Sequence, residues 1–480
     1  MKSLAKNSAF NALYTILNLL FPLVTSVYVA RVLMPEGVGK VAYAQSIVAY
    51  FVTFASLGLP NYGLREIARV KDNQEKKNKL FTELLVVNGI STSLSLVGFI
   101  ILLYVVPSMC GQLSLFMACG CLIFFNYFNI DWFYRGQEEY VYIVCRSIII
   151  KVLSIAALFL FVKQQSDYVL YAWISSTALG GNYILNVIHS RKYVNLTFRG
   201  IDIRPHLKPI VVMAAGVLLA SIYSKIDATM LGAMAGDRAT GLYTNGVKII
   251  DMIVTTSTAI TAVFMPRLSY YFVNNRNEFT KLVKKGTGVL SVITFPLAIG
   301  MFVVAPKVVQ ILFGNEFAGS ASIIRVLCIL VIIKGFGNLL CYQLVMCTGN
   351  EKERIPAAFL GSLGNVVMNA FLIPRFAGIG AAVASVIAET IVNGYQLVKM
   401  KKILDIRFDK NTLWKSVLSA MVMGVICESV SKIECGLLLS TVLTVLSGII
   451  VYVLLNIILR NEMLYEARNI IRKKVDRRIR

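Results

Sequence analysis

Two apolar runs near the middle of the chain carry charge where charge is costly. Within SIYSKIDATMLGAMAGDRATGLYTNGVKIID, residues 221–251, Lys225, Asp227, Lys248 and Asp251 interrupt segments that otherwise read as membrane-crossing helices. An ionisable side chain near a bilayer centre costs on the order of 3 kcal/mol on insertion scales, so it persists where it faces a bundle interior, a charged partner or a water-filled path. Lys151, Lys334 and Glu389 lie comparably deep in three further apolar runs. Lysines in such places bind anions or neutralise carboxylates. Lys248 and Asp251, three residues apart, share a helical face and form one candidate self-neutralising pair. Lys225 and Asp227, two apart, point to different faces, so Asp227 needs another partner, Lys248 of the neighbouring run being one. Glu389 has two readings: a site for a coupling proton or sodium ion, or the partner of a lysine in its own half.

These charges must be positioned by apolar helices, because little else is encoded. Of 480 residues 57% are hydrophobic and only 15% charged, against roughly 45–50% and 25% in an average soluble domain. The chain reads as an all-α polytopic membrane protein. Its formal charge of +23 sits mostly in short loops between apolar runs, where it sets topology and meets anionic headgroups; nucleic acid is not implied. The nine cysteines show no paired C-x-x-C and lie mostly in apolar runs, so they read as small packing residues; His189 and His206 share one basic loop. No metal site and no cofactor is implied.

Apolar runs near 20 residues long, separated by polar, Gly or Pro breaks, give about fourteen transmembrane helices. They cover roughly 9–30, 41–61, 84–106, 113–134, 141–162, 168–188, 209–233, 241–265, 287–305, 321–347, 355–373, 377–398, 413–431 and 435–459. The first follows Lys2 and Lys6, but it is longer than a signal-peptide core and no A-x-A-like site follows, so it reads as a retained span. Lys and Arg concentrate in alternate loops: 65–79, 191–208, 267–285, 399–410 and 460–480, whereas each intervening loop carries two or fewer. The positive-inside rule then places both termini in the cytoplasm of a plasma membrane.

The longest outer loop is near 306–320 and no soluble domain is present. Glycan polymerases and ligases working at a membrane usually need a large loop with carboxylates or His, so this class is disfavoured. A Walker A loop is absent, which removes nucleotide hydrolysis as a power source. The chain is expected to be a transporter and not an enzyme.

An internal repeat supports this. Gly39-Lys-Val-Ala-Tyr-Ala-Gln-Ser-Ile47 superposes on Gly241-Leu-Tyr-Thr-Asn-Gly-Val-Lys-Ile249, each entering a span after a short outer loop, and Arg135-Gly-Gln-Glu138 corresponds to Thr348-Gly-Asn-Glu351. Two pseudo-symmetric six-helix bundles follow, 1–190 and 209–400, joined by a cytoplasmic linker at 191–208. Residues 401–480 add two helices and a basic tail. Parallel repeats of this kind hold substrate between the halves.

Five stretches resemble the Wzx-type polysaccharide repeat-unit flippases of the multidrug/oligosaccharidyl-lipid/polysaccharide exporter superfamily: FPLVTSVYVARVLMPEGVGKVAYAQSIVAYF (21–51), LGLPNYGLREIAR (57–69), FNIDWFYRGQEEY (128–140), APKVVQILFGNEF (305–317) and IPRFAGIGAAVASVIAE (373–389). The resemblance implies alternating access to a cationic cavity in a bacterial inner membrane. It also implies an undecaprenyl-diphosphate-linked oligosaccharide as substrate, moved outward for capsule, exopolysaccharide or O-antigen-like synthesis. Membrane lipids, a polysaccharide polymerase and glycosyltransferases are the partners that go with such a role. Many members have twelve spans; fourteen is the number in the related lipid II flippases, so that substrate stays open. A drug/cation antiporter of the same superfamily would need an acidic cavity, against the four deep lysines here.

A diphosphate calls for Lys or Arg to replace its hydration. Spans 1, 2, 7 and 8 line the cavity in related flippases, which points to Arg31, Lys225 and Lys248, with Lys151 and Lys334 as further candidates. Arg31 also fits an interfacial arginine snorkelling at a helix end, and Asp227, Asp251 and Glu389 read as coupling groups or charge partners. Arg65, Glu66 and Arg69 beyond span 2, with Arg135, Glu138 and Glu139 beyond span 4, are either a cytoplasmic gate or solvated helix ends. Arg146 and Arg325, near span ends, are expected to reach the interface, where Trp132 and Tyr134 would serve as anchors.

Overall fold

The apolar runs do fold as helices. A computed structural model describes residues 4–433 and 435–465, with side chains from residue 21 onward, and contains no strand among them. The start of the chain and most of the basic tail, 466–480, lie outside the described residues. In order the helices are α1 (Leu4–Ser56), α2 (Leu59–Arg69), α3 (Gln74–Val105), α4 (Pro107–Cys110), α5 (Leu113–Phe125), α6 (Asp131–Gly136), α7 (Tyr140–Phe161), α8 (Tyr168–Ser190), α9 (Arg204–Met234), α10 (Gly236–Ala262), α11 (Phe264–Asn274), α12 (Arg276–Phe313), α13 (Gly319–Gly337), α14 (Leu344–Cys347), α15 (Arg354–Lys401), α16 (Lys410–Ser431) and α17 (Leu437–Ile458).

Each predicted run overlies helix, and the protein is a multi-pass membrane protein. Nine runs among the described residues are long and apolar enough to cross a bilayer, ten if the bent pair α10 and α11 is one span. Fourteen crossings would need more. The runs Phe21–Arg69 (49 residues) and Glu351–Lys401 (51 residues) would each have to cross twice, and the bent pair, the short apolar segment Leu113–Phe128 and α8 would each have to cross as well. Both long runs contain a break. Met34 (φ 58, ψ 175) interrupts α1 just before Pro35, as expected where proline bars its predecessor from helical angles, and Ala377 (φ 44, ψ −125) interrupts α15.

The chain divides into two units, Met1–Gly241 and Leu242–Arg480. The division falls after α9 and not before it, because α9 packs along α1. In the first unit α1 is the hub, touching α3, α5, α7 and α9. Its core joins Val41, Ala44 and Val48 to Phe99, Phe116 and Cys119. A second cluster, with Leu59, Ile67, Phe81, Leu84, Trp132 and Phe133, lies where α2 and α6 meet. Two of the family-like stretches are thus one packing unit. A Cβ on Gly63 would sit 2.7 Å from the Trp132 ring and one on Gly136 2.8 Å from Ile67 Cγ2, so only glycine permits this approach.

The second unit is built on α12, which packs against α13, α16 and α17. Lys307 Nζ of α12 donates to the Ser431 carbonyl at 2.6 Å and to Ser440 Oγ, fastening the C-terminal helix pair. At the other end buried Asp409 caps α16, accepting from Thr412 N at 3.2 Å and Thr412 Oγ1 at 2.7 Å, a contact type worth about 1 kcal/mol.

Candidate functional site

In the first unit, α1 meets α9 through hydroxyls. Ser46, Tyr50 and Thr53, at spacings of four and three, share one face of α1. Tyr50 Oη and Thr229 Oγ1 are 3.0 Å apart, Thr229 Oγ1 is 2.9 Å from Ser46 Oγ, and Thr53 Oγ1 is 3.0 Å from Ser221 Oγ. Lys225 lies one turn from Thr229 and is exposed, while Asp227 is half-buried near Tyr50; the two point different ways, as their spacing predicts. Arg31 is exposed one turn before the α1 break, and Lys151 on α7 lies 5.2 Å from the Phe21 ring centroid.

Just past that break, Gly39 and Gly241, equated by the sequence repeat, face each other. A Cβ on Gly39 would fall 1.7 Å from the Asp237 carbonyl oxygen, and one on Gly241 1.9 Å from that of Pro35. Glu36 closes the contact, accepting from Arg238 at 3.3 Å and from Gln165 Nε2 at 3.0 Å. Nearby, Asp167 accepts the backbone N–H groups of Lys163 and Gln164, which hold its carboxyl below the ordinary value.

The second unit gathers three deep charges. Lys334 Nζ of α13 is 3.7 Å from Asp251 Oδ1 of α10 and 3.6 Å from Glu389 Oε1 of α15. Asp251 is therefore directed at Lys334, while Lys248 donates to Asn245 Oδ1 at 3.1 Å. Glu389 thus lies beside a lysine of its own half, and also accepts from Asn393 Nδ2 at 3.3 Å. One turn past Lys334 the helix widens into a π-turn, Asn338–Gln343. There Thr261 Oγ1 donates to Asn338 Oδ1 at 2.9 Å and Gln343 Nε2 to the Thr261 carbonyl at 3.0 Å. Single π-turns inside helices are frequent at functional positions.

The charges beyond spans 2 and 4 form surface ion pairs around α2 and the end of α6. Glu66 accepts from Arg65 Nε at 2.9 Å and Arg69 at 3.1 Å on its own helix, and Lys71 reaches Glu138 at 3.2 Å. Arg135 is exposed. Arg146 departs from expectation. It does not reach the interface; it is 5% exposed, pairs with Asp131 at 3.3 Å and donates to Asn186 Oδ1. Trp132 and Tyr134 are likewise buried and not surface anchors, because the Gly63 and Gly136 contacts fold α6 inward.

Residues 4–272 match the family described as polysaccharide biosynthesis protein. The chain belongs to that family. It is 23% identical over 399 residues to the Escherichia coli K12 protein named "Putative O-antigen transporter", covering 82% of this chain and 96% of that one. Among solved structures, the lipid II flippase MurJ in an inward closed conformation superposes with a TM-score of 0.77 at 15% identity, over 94% of this chain and 99% of that chain. An inward-facing multidrug transporter of the MATE family gives 0.65 at 15% identity, over 80% and 94%. Both solved structures share with this chain an all-helical, polytopic fold.

Proposed function

We propose that the protein is a flippase that moves an undecaprenyl-diphosphate-linked oligosaccharide repeat unit from the inner to the outer leaflet, for capsule, exopolysaccharide or O-antigen-like synthesis. The observation that carries this reading is the family membership together with the near full-length similarity to the E. coli protein. The chemistry comes from Arg31, Lys151, Lys225 and Lys248, which replace water around the diphosphate while the lipid tail stays in the bilayer. Lys334 is shared between substrate and the carboxylates Asp251 and Glu389 that hold it. The charges of α2 and α6, Arg65, Glu66 and Arg135, close the cytoplasmic mouth, and access alternates. The chain is placed in a bacterial inner membrane with both termini inside, and acts as a transporter without catalysis.

Similarity to MurJ along nearly the whole chain favours one second reading, a lipid II substrate. Both are tested by expressing the gene in a strain lacking its own repeat-unit flippase and, separately, in one depleted of its lipid II flippase. Restored surface polysaccharide in the first only is the expected result; rescue of the second only would replace the repeat unit with the peptidoglycan precursor. In the first strain Lys225→Ala or Lys248→Ala abolishes surface polysaccharide at normal protein level, and Lys→Arg retains part. Full activity in both alanine variants would remove the lysine assignment.

A further inference from the structure

Residues 191–203, between α8 and α9, carry no helix, and the sequence marks them only as a basic linker. In the first unit they form a strap laid along α3. Gln74 Nε2 donates to the Tyr193 carbonyl at 2.7 Å, Asn195 N to Asn78 Oδ1 at 3.1 Å, and Thr197 N to Thr82 Oγ1 at 3.0 Å. Gln74, Asn78 and Thr82 recur every four residues, one stripe of a helix. Burial pushes the Tyr193 phenol up to about 12.

The strap ends in a three-residue clamp. Glu83, 5% exposed, uses both oxygens: one accepts Asp202 N at 2.9 Å, the other faces His206 Nε2 at 3.0 Å. The second ring nitrogen, Nδ1, is 2.7 Å from Tyr62 Oη. Neutral His206 satisfies this arrangement with Nε2–H donating to the carboxylate and the phenol donating to Nδ1, and a charged ring keeps the first bond. The other charged groups nearby are Lys79, 3.9 Å from Glu83, and Arg65, Glu66 and Arg69 on the helix that carries Tyr62.

His206 stands in the first turn of α9, which also carries Lys225. Helical rise puts Lys225 about 28 Å further along, beside the hydroxyl contacts to α1. α9 runs unbroken from Arg204 to Met234 with Pro209 inside it, and holding it at its start and at its middle opposes sliding along its axis. We propose that His206, gripped by Glu83 and Tyr62, is a positioning residue for transport: it fixes α9 along its axis and thereby sets the height of Lys225. The proposal rests on the reading that Lys225 meets substrate.

The test uses the full chain in the flippase-null strain, with three readouts: surface polysaccharide, protein level in membranes, and the rate at which trypsin cuts after the exposed Arg199 in inside-out vesicles. His206→Leu removes both bonds and is expected to lower export and speed strap cleavage, each about tenfold, the scale of losing a hydrogen bond to a charged group. His206→Gln keeps a donor for Glu83 and restores most of both; Tyr62→Phe is intermediate. Lys225→Ala abolishes export with strap cleavage unchanged. Wild-type export in His206→Leu, or equal loss in His206→Leu and His206→Gln, overturns the positioning role. Unchanged cleavage in His206→Leu overturns the clamp itself. Faster cleavage in His206→Leu beside full export in Lys225→Ala keeps the clamp but removes the lysine reading, and the positioning role with it.

Discussion

Replacing Lys334 by Met removes a cation that two carboxylates share and keeps most of the apolar stem. The two contacts, 3.6 Å to Glu389 and 3.7 Å to Asp251, are nearly equal in length but not in worth. The Asp251 side chain is 56% exposed, so its share is that of a surface pair, below about 1 kcal/mol. Glu389 is 14% exposed and, among the described residues, would keep the hydrogen bond from Asn393 Nδ2 at 3.3 Å. Breaking a buried pair typically costs about 3–5 kcal/mol; that amide, and the 30% exposure of Lys334, reduce the expectation to about 2–3 kcal/mol. The assay is a double-mutant cycle of thermal unfolding in detergent. Lys334→Met should be destabilising, Glu389→Gln should recover most of the loss, and Asp251→Asn should recover little. A Lys334→Met protein as stable as the parent, with no coupling to Glu389, would refute the ion-pair reasoning. Export measured in the same variants separates structure from transport: stability regained in Lys334→Met/Glu389→Gln without regained export, where Glu389→Gln alone exports normally, would put Lys334 itself on the substrate path.

The remaining expectations concern contacts of other kinds. Gly39→Ala forces the Asp237 carbonyl away from a Cβ that would lie at 1.7 Å and should cost at least the 1–3 kcal/mol typical of overpacking, with export lost; Gly89→Ala and Gly216→Ala, with nothing within 4 Å of the added carbon, should be near neutral in the same complementation assay. Arg146→Met leaves the half-buried Asp131 carboxylate unneutralised and should lower stability by about 2 kcal/mol, read as a lower unfolding midpoint, with Asp131→Asn in the same chain recovering part. Lys307→Met removes the bonds to Ser431 and Ser440 and should loosen the α16 and α17 pair by about 1–2 kcal/mol, seen as faster backbone hydrogen exchange in 432–440 with little change elsewhere.

What the sequence displays and what it conceals divide by range. Helix follows from a run of apolar residues long enough for a bilayer, a local property, and so every predicted run overlies helix. Span 4 is where locality fails. Its apolar pattern continues to Tyr134, yet α5 stops at Phe125. The buried Asn126 binds Asn88 Oδ1 at 3.1 Å and Thr92 Oγ1 at 2.9 Å, and the chain turns there into α6. Charge partners show the same limit. A three-residue spacing brings Lys248 and Asp251 onto one face, but that α13 also brings Lys334 to Asp251 is encoded by no spacing within α10. His206 and Glu83 are 123 residues apart, and in the sequence the histidine is one of two in a basic loop. Gln74, Asn78 and Thr82 lie at helical spacing just before the third apolar run, in a segment whose lysines and glutamates already mark it as solvated, so the stripe carries no signal of its own. They find their partners because the strap, the longest stretch without helix among the described residues, returns to α3 more than a hundred residues later. A contact of that range is set by the fold and not by residue spacing, and it falls at the point where the helix bearing Lys225 is held.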